Sequence, residues 1–299
     1  MFLQSLPFLR YPRTFHLEGS RLQRGDSLAD QVPLRKLAGR WAVLEEKIDG
    51  ANSGLSFSSG AELLLQSRGH YLLEGAVARQ FRPFVTWARS HEARLLERLE
   101  DRYIVFGEWA YAKHSVYYDQ LPHLFHEFDI YDRLEEQFLS TARRRQLLQG
   151  LPVLSVPVLY EGPMPEKLDM LWALVGHSLA KSLKWKQAFE ASVHREGLPL
   201  ELTWSQTDAS DLAEGLYIKV EEDGQVVERY KLVRHSFVQT ILDSGSHHTR
   251  RPIVPNGLVE GVDLYAEQLA VSWEDLGLRT LHGLQALQEH AKTASRKSP

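Results

Sequence analysis

The stretch "EGLYIKVEEDGQVVERYKLVR", residues 214–234, constrains this chain more than any other: two runs of alternating apolar and polar residues flank "EEDG". Alternation at period two sets one face of each run against a core, and a short Asp-Gly turn joins antiparallel neighbours. Further strands are expected at 40–47 ("RWAVLEEK"), 52–58 ("NSGLSFS") and 62–68 ("ELLLQSR"), the last two linked by "SSG". Aromatic-rich runs at 102–110, 114–119 and 124–132 also read as strands. Helical spacing of Val77, Phe81, Phe84, Val85, Ala88, Leu95, Leu96 and Leu99 predicts a helix over 76–99. Ser140 or Thr141 would cap a second helix through Leu148, and 166–195 has a helical pattern. There is no β-α-β alternation, no GxGxxG and no GxxxxGK[ST]. The expectation is an α+β fold: antiparallel strands with helices packed outside, a boundary near residue 236, and loop and helix beyond it.

With 299 residues, 43% of them apolar, the chain has ample material for a core. It lacks cysteine, which excludes disulfides, thiolate catalysis and Cys-ligated zinc, and suits a reducing compartment. No apolar stretch approaches membrane-spanning length, and "MFLQSLPFLRYPRTF" is a poor signal peptide, so a cytoplasmic protein is expected. The net charge of −4 argues against a protein that coats nucleic acid. Yet residues 229–251 gather Arg229, Lys231, Arg234, Arg250 and Arg251 against Asp243 alone. That segment is either a binding strip for a polyphosphate or nucleic-acid strand, or an ordinary solvated patch.

"EEKIDGAN", residues 45–52, ends a strand on a lysine and then turns. A lysine is a nucleophile only as the free amine, so Lys47 would need its pKa lowered by desolvation or nearby cations. Gly50 would let the backbone approach a phosphate. Later residues offer partners for an attack on a nucleotide α-phosphate: Glu214 for a metal, and Lys219, Arg229 and Lys231 for phosphate. Alone, K-x-D-G is a weak signal, and an internal lysine beside acidic residues is usually a solvated charge.

Five more stretches follow in order: "QSRGH", "VFGEW", "FHEFDIYD", "EGLYIKV" and "ERYKLVR". Together with "EKIDGAN" they resemble the motifs of the covalent nucleotidyltransferases, meaning polynucleotide ligases and capping enzymes. Within these the chain looks most like ATP-dependent RNA ligases of the RNA-ligase-2 type, bacterial stand-alone members in particular. The resemblance implies an antiparallel-sheet, ATP-grasp-like nucleotidyltransferase fold with Lys47 as the adenylated nucleophile. Glu46 is placed like the residue that reads adenine, Arg68 near the sugar or RNA terminus, and Glu108 on the ribose. Phe128 would stack on the base, and Glu214 would lie by the metal and α-phosphate. The last motif is ordinarily Lys-x-Lys; here the pair is Arg229 and Lys231, or Lys231 and Arg234. Taken singly, Phe128 would also suit a core, Glu108 and Glu214 a surface ion pair, and Arg68 a turn.

The chemistry so implied uses ATP with Mg²⁺ or Mn²⁺, forms lysyl-AMP, and joins 3′-OH and 5′-phosphate RNA ends in RNA repair, with nicked duplexes and RNA–DNA hybrids among the candidate substrates. Residues 1–235 would form the adenylyltransferase domain and 236–299 a small, mainly helical domain. Competing readings are a DNA ligase of the same superfamily and a non-catalytic nucleic-acid end-binding protein. His123, His126, His247 and His248 lack the company a metal site needs, and His114 is a candidate contact for RNA phosphate.

Overall fold

Two sheets face each other across a polar interior. The computed structural model describes residues 8–22, 31–73, 77–243 and 251–295. In the first sheet β3 (Trp41–Glu46), β10 (Val158–Pro163), β11 (Gly215–Glu222) and β12 (Gln225–Val233) pair antiparallel. Short strands β1 (Phe15–Leu17), β2 (Gln31–Val32) and β13 (Leu281–His282) extend its edges in parallel, giving the order β13-β10-β3-β11-β12-β1-β2. The second sheet runs β5-β4-β6-β7-β8, from β4 (Ala51–Phe57), β5 (Leu63–Ser67), β6 (Tyr103–Trp109), β7 (Phe125–Asp132) and β8 (Gln137–Phe138), with β9 (Leu154–Ser155) beside β7. The expected hairpin is β11–β12. Asp223 and Gly224 turn it at φ of 49° and 79°, the left-handed pair that matches strand twist.

Period-two alternation decides which side of each strand is apolar. The outer face of the first sheet buries Leu44, Leu216, Ile218 and Leu232 against α4 (Leu168–Trp172) and α8 (Gly283–Ser295). The outer face of the second buries Leu55, Phe57, Val105 and Ile130 under Phe84, Trp87, Leu95 and Leu99 of α1 (Arg82–Ser90) and α2 (Glu92–Leu99). A smaller cluster joins Trp185, Phe189 and Val193 of α5 (Trp185–Arg195) to Tyr117, beside Trp204 of α6 (Leu200–Ser205).

Between the sheets lies a buried charge cluster. Arg144 of α3 (Thr141–Leu148) donates to Glu45 and Glu127, each at 2.7 Å. Lys219 pairs with Glu45 at 2.8 Å, and Arg229 with Asp129 at 2.7 Å. Such a group of ions tolerates burial because each charge has an opposite partner and hydrogen bonds.

Several elements depart from expectation. The 76–99 helix is two helices, beginning only at Arg82, with Pro83 in the first turn and a break at His91. Residues 114–119 form no strand, because the amides of Ser115 and Val116 are taken by the Asp49 carboxylate. The 166–195 pattern yields α4 and α5 with a non-helical stretch between. Beyond 235 come α7 (His235–Asp243) and α8, while the described residues 251–280 form neither helix nor sheet strand. That tail packs back on the body: Trp273 is buried and donates to the Ser155 carbonyl at 2.8 Å. Arg250, His247 and His248 lie outside the described residues. Among the described residues no helix is long and apolar enough to cross a membrane.

Candidate active site

"EEKIDGAN" proves to be the crossover between the sheets: β3 ends at Glu46, β4 begins at Ala51, and Lys47 to Gly50 span the gap. Three of the four crossover residues are fixed by backbone hydrogen bonds. Lys47 N–H donates to the Gly215 carbonyl at 3.0 Å, Asp49 N–H to Tyr118 Oη at 2.8 Å, and Gly50 N–H to Glu108 Oε1 at 3.0 Å. The Asp49 carboxylate accepts from Ser115 and Val116 amides at 2.7 and 2.8 Å. The glycine at position 50 answers to close packing within the protein, since an added Cβ would lie 2.7 Å from the Trp109 carbonyl. A phosphate is not needed to explain it.

A cavity of about 830 Å³ opens between the sheets at this crossover. Its lining brings together Glu46, Lys47, Arg68, Glu108, Phe128, Glu214 and Lys231, which the sequence scatters over 185 positions. Phe128 arrives by a register irregularity. Phe106 pairs with Asp129 and Gly107 with Glu127, so Phe128 is the extra residue of a β-bulge. A bulge re-aims its side chain, here into the cavity beside the Tyr11 ring at 5.0 Å and the Tyr217 ring at 6.1 Å. The bulged carbonyl is held by Lys219 and Arg144.

Three expected phosphate cations are not brought to the cavity. Arg229 is tied to Asp129 and lies over the Phe138 ring at 3.8 Å. Lys219 is fully buried on Glu45. Arg234 points to Asp208 and the Ala213 carbonyl. Lys231 is the charged residue of the last motif that lines the cavity, beside Val233. The Glu46 side chain accepts from Ser178 Oγ at 2.5 Å, and burial raises its pKa to about 7 against that hydrogen bond. Not anticipated from sequence are Arg13, Asn52, His70, Gln80 and the Tyr217 ring, all on the lining with His114 and Arg251. Asn52, His70 and Tyr217 lie within the quoted motifs without a role assigned to them, whereas Arg13 and Gln80 lie in no pattern and only folding brings them here. His123 and His126 are buried core residues.

The electrostatics at Lys47 reverse the expected sign. Its ammonium donates to Glu214 Oε2 at 2.8 Å. Desolvation pulls the lysine pKa down, but Glu214, Glu108 and Asp49 outweigh it and raise the value. Burial pushes Glu108 up to about 8 and Glu214 up to about 7, with the Lys47 charge opposing both. Lys47 in the protein alone is therefore an ammonium ion beside two glutamates, Glu108 and Glu214, of near-neutral pKa.

Such a donor set fits a hard divalent cation, which prefers carboxylate and carbonyl oxygens. The Asn52 Oδ1 on the same lining is buried without a hydrogen-bond partner. Among the described residues no three His, Asp or Glu side chains form a ready metal cage. Any such ion would need further ligands from outside the chain.

Among solved structures the chain is similar to Naegleria gruberi RNA ligase in several mutant forms. A lysine-to-alanine mutant with ATP and Mn gives a TM-score of 0.47 at 19% identity, covering 70% of this chain and 54% of that one. A lysine-to-methionine mutant with AMP and Mn gives 0.48 at 18%, again over 70% and 54%. Another lysine-to-alanine mutant with ATP and Mn gives 0.48 at 17%, over 77% and 62%. The chain thus spans little more than half the length of these structures. No curated protein matches. The family described as RNA ligase matches residues 41–233, well over half of the chain and every element that lines the crossover cavity from β3 to β12. The chain belongs to the RNA ligase family.

Proposed function

We propose that this protein is an ATP-dependent RNA ligase of the RNA-ligase-2 type, bacterial stand-alone group, acting in RNA repair. The observation that carries the reading is the convergence of Lys47, Glu108, Phe128, Glu214 and Lys231 on one cavity within the family-matched region. Phe128 offers a ring for the base, Glu108 and Asn52 acceptors for ribose hydroxyls, and Lys231 a cation for phosphate.

Lys47 Nζ gives up a proton and attacks the α-phosphorus of ATP. The N–P bond forms as the bond to pyrophosphate breaks, leaving lysyl-AMP. That proton leaves to solvent, and the free amine is the attacking form. An oxygen of a 5′-phosphate end then attacks the same phosphorus, the N–P bond breaks, and Nζ regains its proton. A 3′-OH finally attacks the activated 5′-phosphorus, forming the phosphodiester and expelling AMP. Glu214 would hold Mg²⁺ or Mn²⁺, which supplies charge neutralisation at the phosphates when bound. In this reading residues 1–235 form the adenylyltransferase domain, and the described residues beyond it comprise helices α7 and α8 and the irregular stretch 251–280.

The test is sealing of nicked duplexes with a 5′-phosphate, varying only the 3′-OH strand. An RNA ligase seals when that strand ends in ribonucleotides and loses most activity when they are deoxyribonucleotides, since the 2′-OH is the distinguishing group. Equal sealing of an all-DNA nick would favour a DNA ligase. No sealing of either, with protein that binds the nicks, would favour an end-binding protein.

A further inference from the structure

The nucleophile crossover is braced from outside the family-matched region, by the segment 254–257. Asn256 is 8% exposed, and its side chain makes two hydrogen bonds to one loop: Oδ1 accepts from Tyr118 N–H at 3.0 Å, and Nδ2 donates to the Ala110 carbonyl at 2.8 Å. It therefore clamps both ends of the 110–118 segment. Main-chain bonds reinforce the clamp: Asn256 N–H to the Tyr111 carbonyl at 2.9 Å, Gly257 N–H to the Tyr118 carbonyl at 2.8 Å, and Lys113 N–H to the Val254 carbonyl at 2.9 Å.

The clamped segment is the one that holds the crossover. Tyr118 Oη accepts the Asp49 amide at 2.8 Å, and the Ser115 and Val116 amides fix the Asp49 carboxylate at 2.7 and 2.8 Å. Lys47 stands two residues before Asp49; its own amide is bonded to the Gly215 carbonyl of β11 at 3.0 Å, and the turn that follows is held by the Asp49 contacts. Between Asn256 and the crossover there is thus one loop and one phenol, 1% exposed.

We propose that Asn256 is a positioning residue for Lys47, acting through Tyr118 and Asp49, so that the chain beyond residue 235 is part of the lysine-adenylation machinery and not only an appendage that engages RNA. The inference rests on the ligase reading above. Small displacements of a nucleophile from its line of attack lower rates steeply. The effect is confined to the step in which Lys47 attacks; sealing of an RNA whose 5′ end already carries AMP uses no lysine nucleophile.

The experiment uses the full chain as wild type, Asn256→Ala and Tyr118→Phe, the last deleting only the hydroxyl that holds Asp49. Two single-turnover rates are measured: label transfer from α-labelled ATP to protein, and sealing of a pre-adenylylated nicked RNA. The expected result is a loss of at least about tenfold in label transfer for both variants, with sealing of the pre-adenylylated strand unchanged. Equal label transfer in Asn256→Ala and wild type overturns the inference alone. A parallel fall in both rates also overturns it, since that is what general loosening of the fold gives. Absence of label on wild type overturns the ligase reading, and this inference with it.

Discussion

Lys47 Nζ lies 2.8 Å from Glu214 Oε2, a carboxylate 3% exposed, so the candidate nucleophile is stored as one half of an ion pair. The pair keeps the lysine ordered and pointed into the cavity, but a bound proton blocks attack. Adenylation must therefore speed up as hydroxide takes that proton. The single-turnover rate of label transfer is expected to rise with pH from about 6 to about 9, approaching tenfold per unit, because the amine fraction below the pKa grows at that rate. Glu214→Gln removes the anion that raises the lysine pKa, so the rise moves to lower pH even though the maximal rate falls. An unshifted profile in that variant would contradict the pairing.

Phe128 enters the cavity only because it is the extra residue of the β7 bulge. If its ring carries the base, Phe128→Ala raises KM for ATP by about 5- to 150-fold, the equivalent of about 1–3 kcal/mol of stacking, while Phe128→Tyr stays near wild type. Steady-state pyrophosphate release as a function of ATP measures this. A kcat loss without a KM change would place the ring elsewhere in the reaction.

Arg144 is 1% exposed and donates to Glu45 and Glu127, two carboxylates that are fully buried. Removing it leaves Glu127 without a cation and Glu45 with Lys219 alone between the sheets. Arg144→Ala is expected to lower unfolding free energy by about 3–5 kcal/mol, read from urea denaturation. A loss under about 1 kcal/mol would mean that water or Lys219 already satisfies the acids.

His126 is fully buried against the Trp273 ring at 5.3 Å, and neither ring nitrogen has a hydrogen-bond partner. Burial, with His123 adding to it, lowers its pKa to about 3. The folded state refuses a proton that the unfolded chain accepts below its ordinary value of about 6.5. The stabilisation is whole above about 6.5 and is lost as pH falls toward about 3, by about 1.4 kcal/mol per unit. Glu46, Glu108 and Glu214 have the opposite trend, so the clean observable is a difference. Stability of wild type minus that of His126→Phe should fall by about 1.4 kcal/mol for each pH unit below about 6.5. A difference independent of pH would show that His126 titrates normally in the fold.

The sequence announces some of this arrangement and hides the rest for physical reasons. The hairpin at 214–234 is legible because alternation and an Asp-Gly turn are local signals, and they carry Glu214 and Lys231 with them. Lys47 is legible as a motif, yet its charge state is not. The three carboxyl groups that raise its pKa include Glu108 and Glu214, which reach it only through sheet pairing. Arg229 and Lys231 are two apart on one strand and share a face. Only the position of Asp129 in the opposite sheet separates the structural cation from the one that faces the cavity. The bulge at Phe128 is a one-residue register shift that no periodicity marks. "HSVYYD" has strand-like residues, but its amides are taken by Asp49 from 66 positions away.

The most direct test of the whole account is incubation with α-labelled ATP and Mg²⁺ or Mn²⁺, followed by denaturing electrophoresis, on protein first stripped of bound AMP with pyrophosphate. The account predicts label on wild type that survives denaturation and is absent from Lys47→Ala. Label on both proteins, or on neither with either metal, would contradict it.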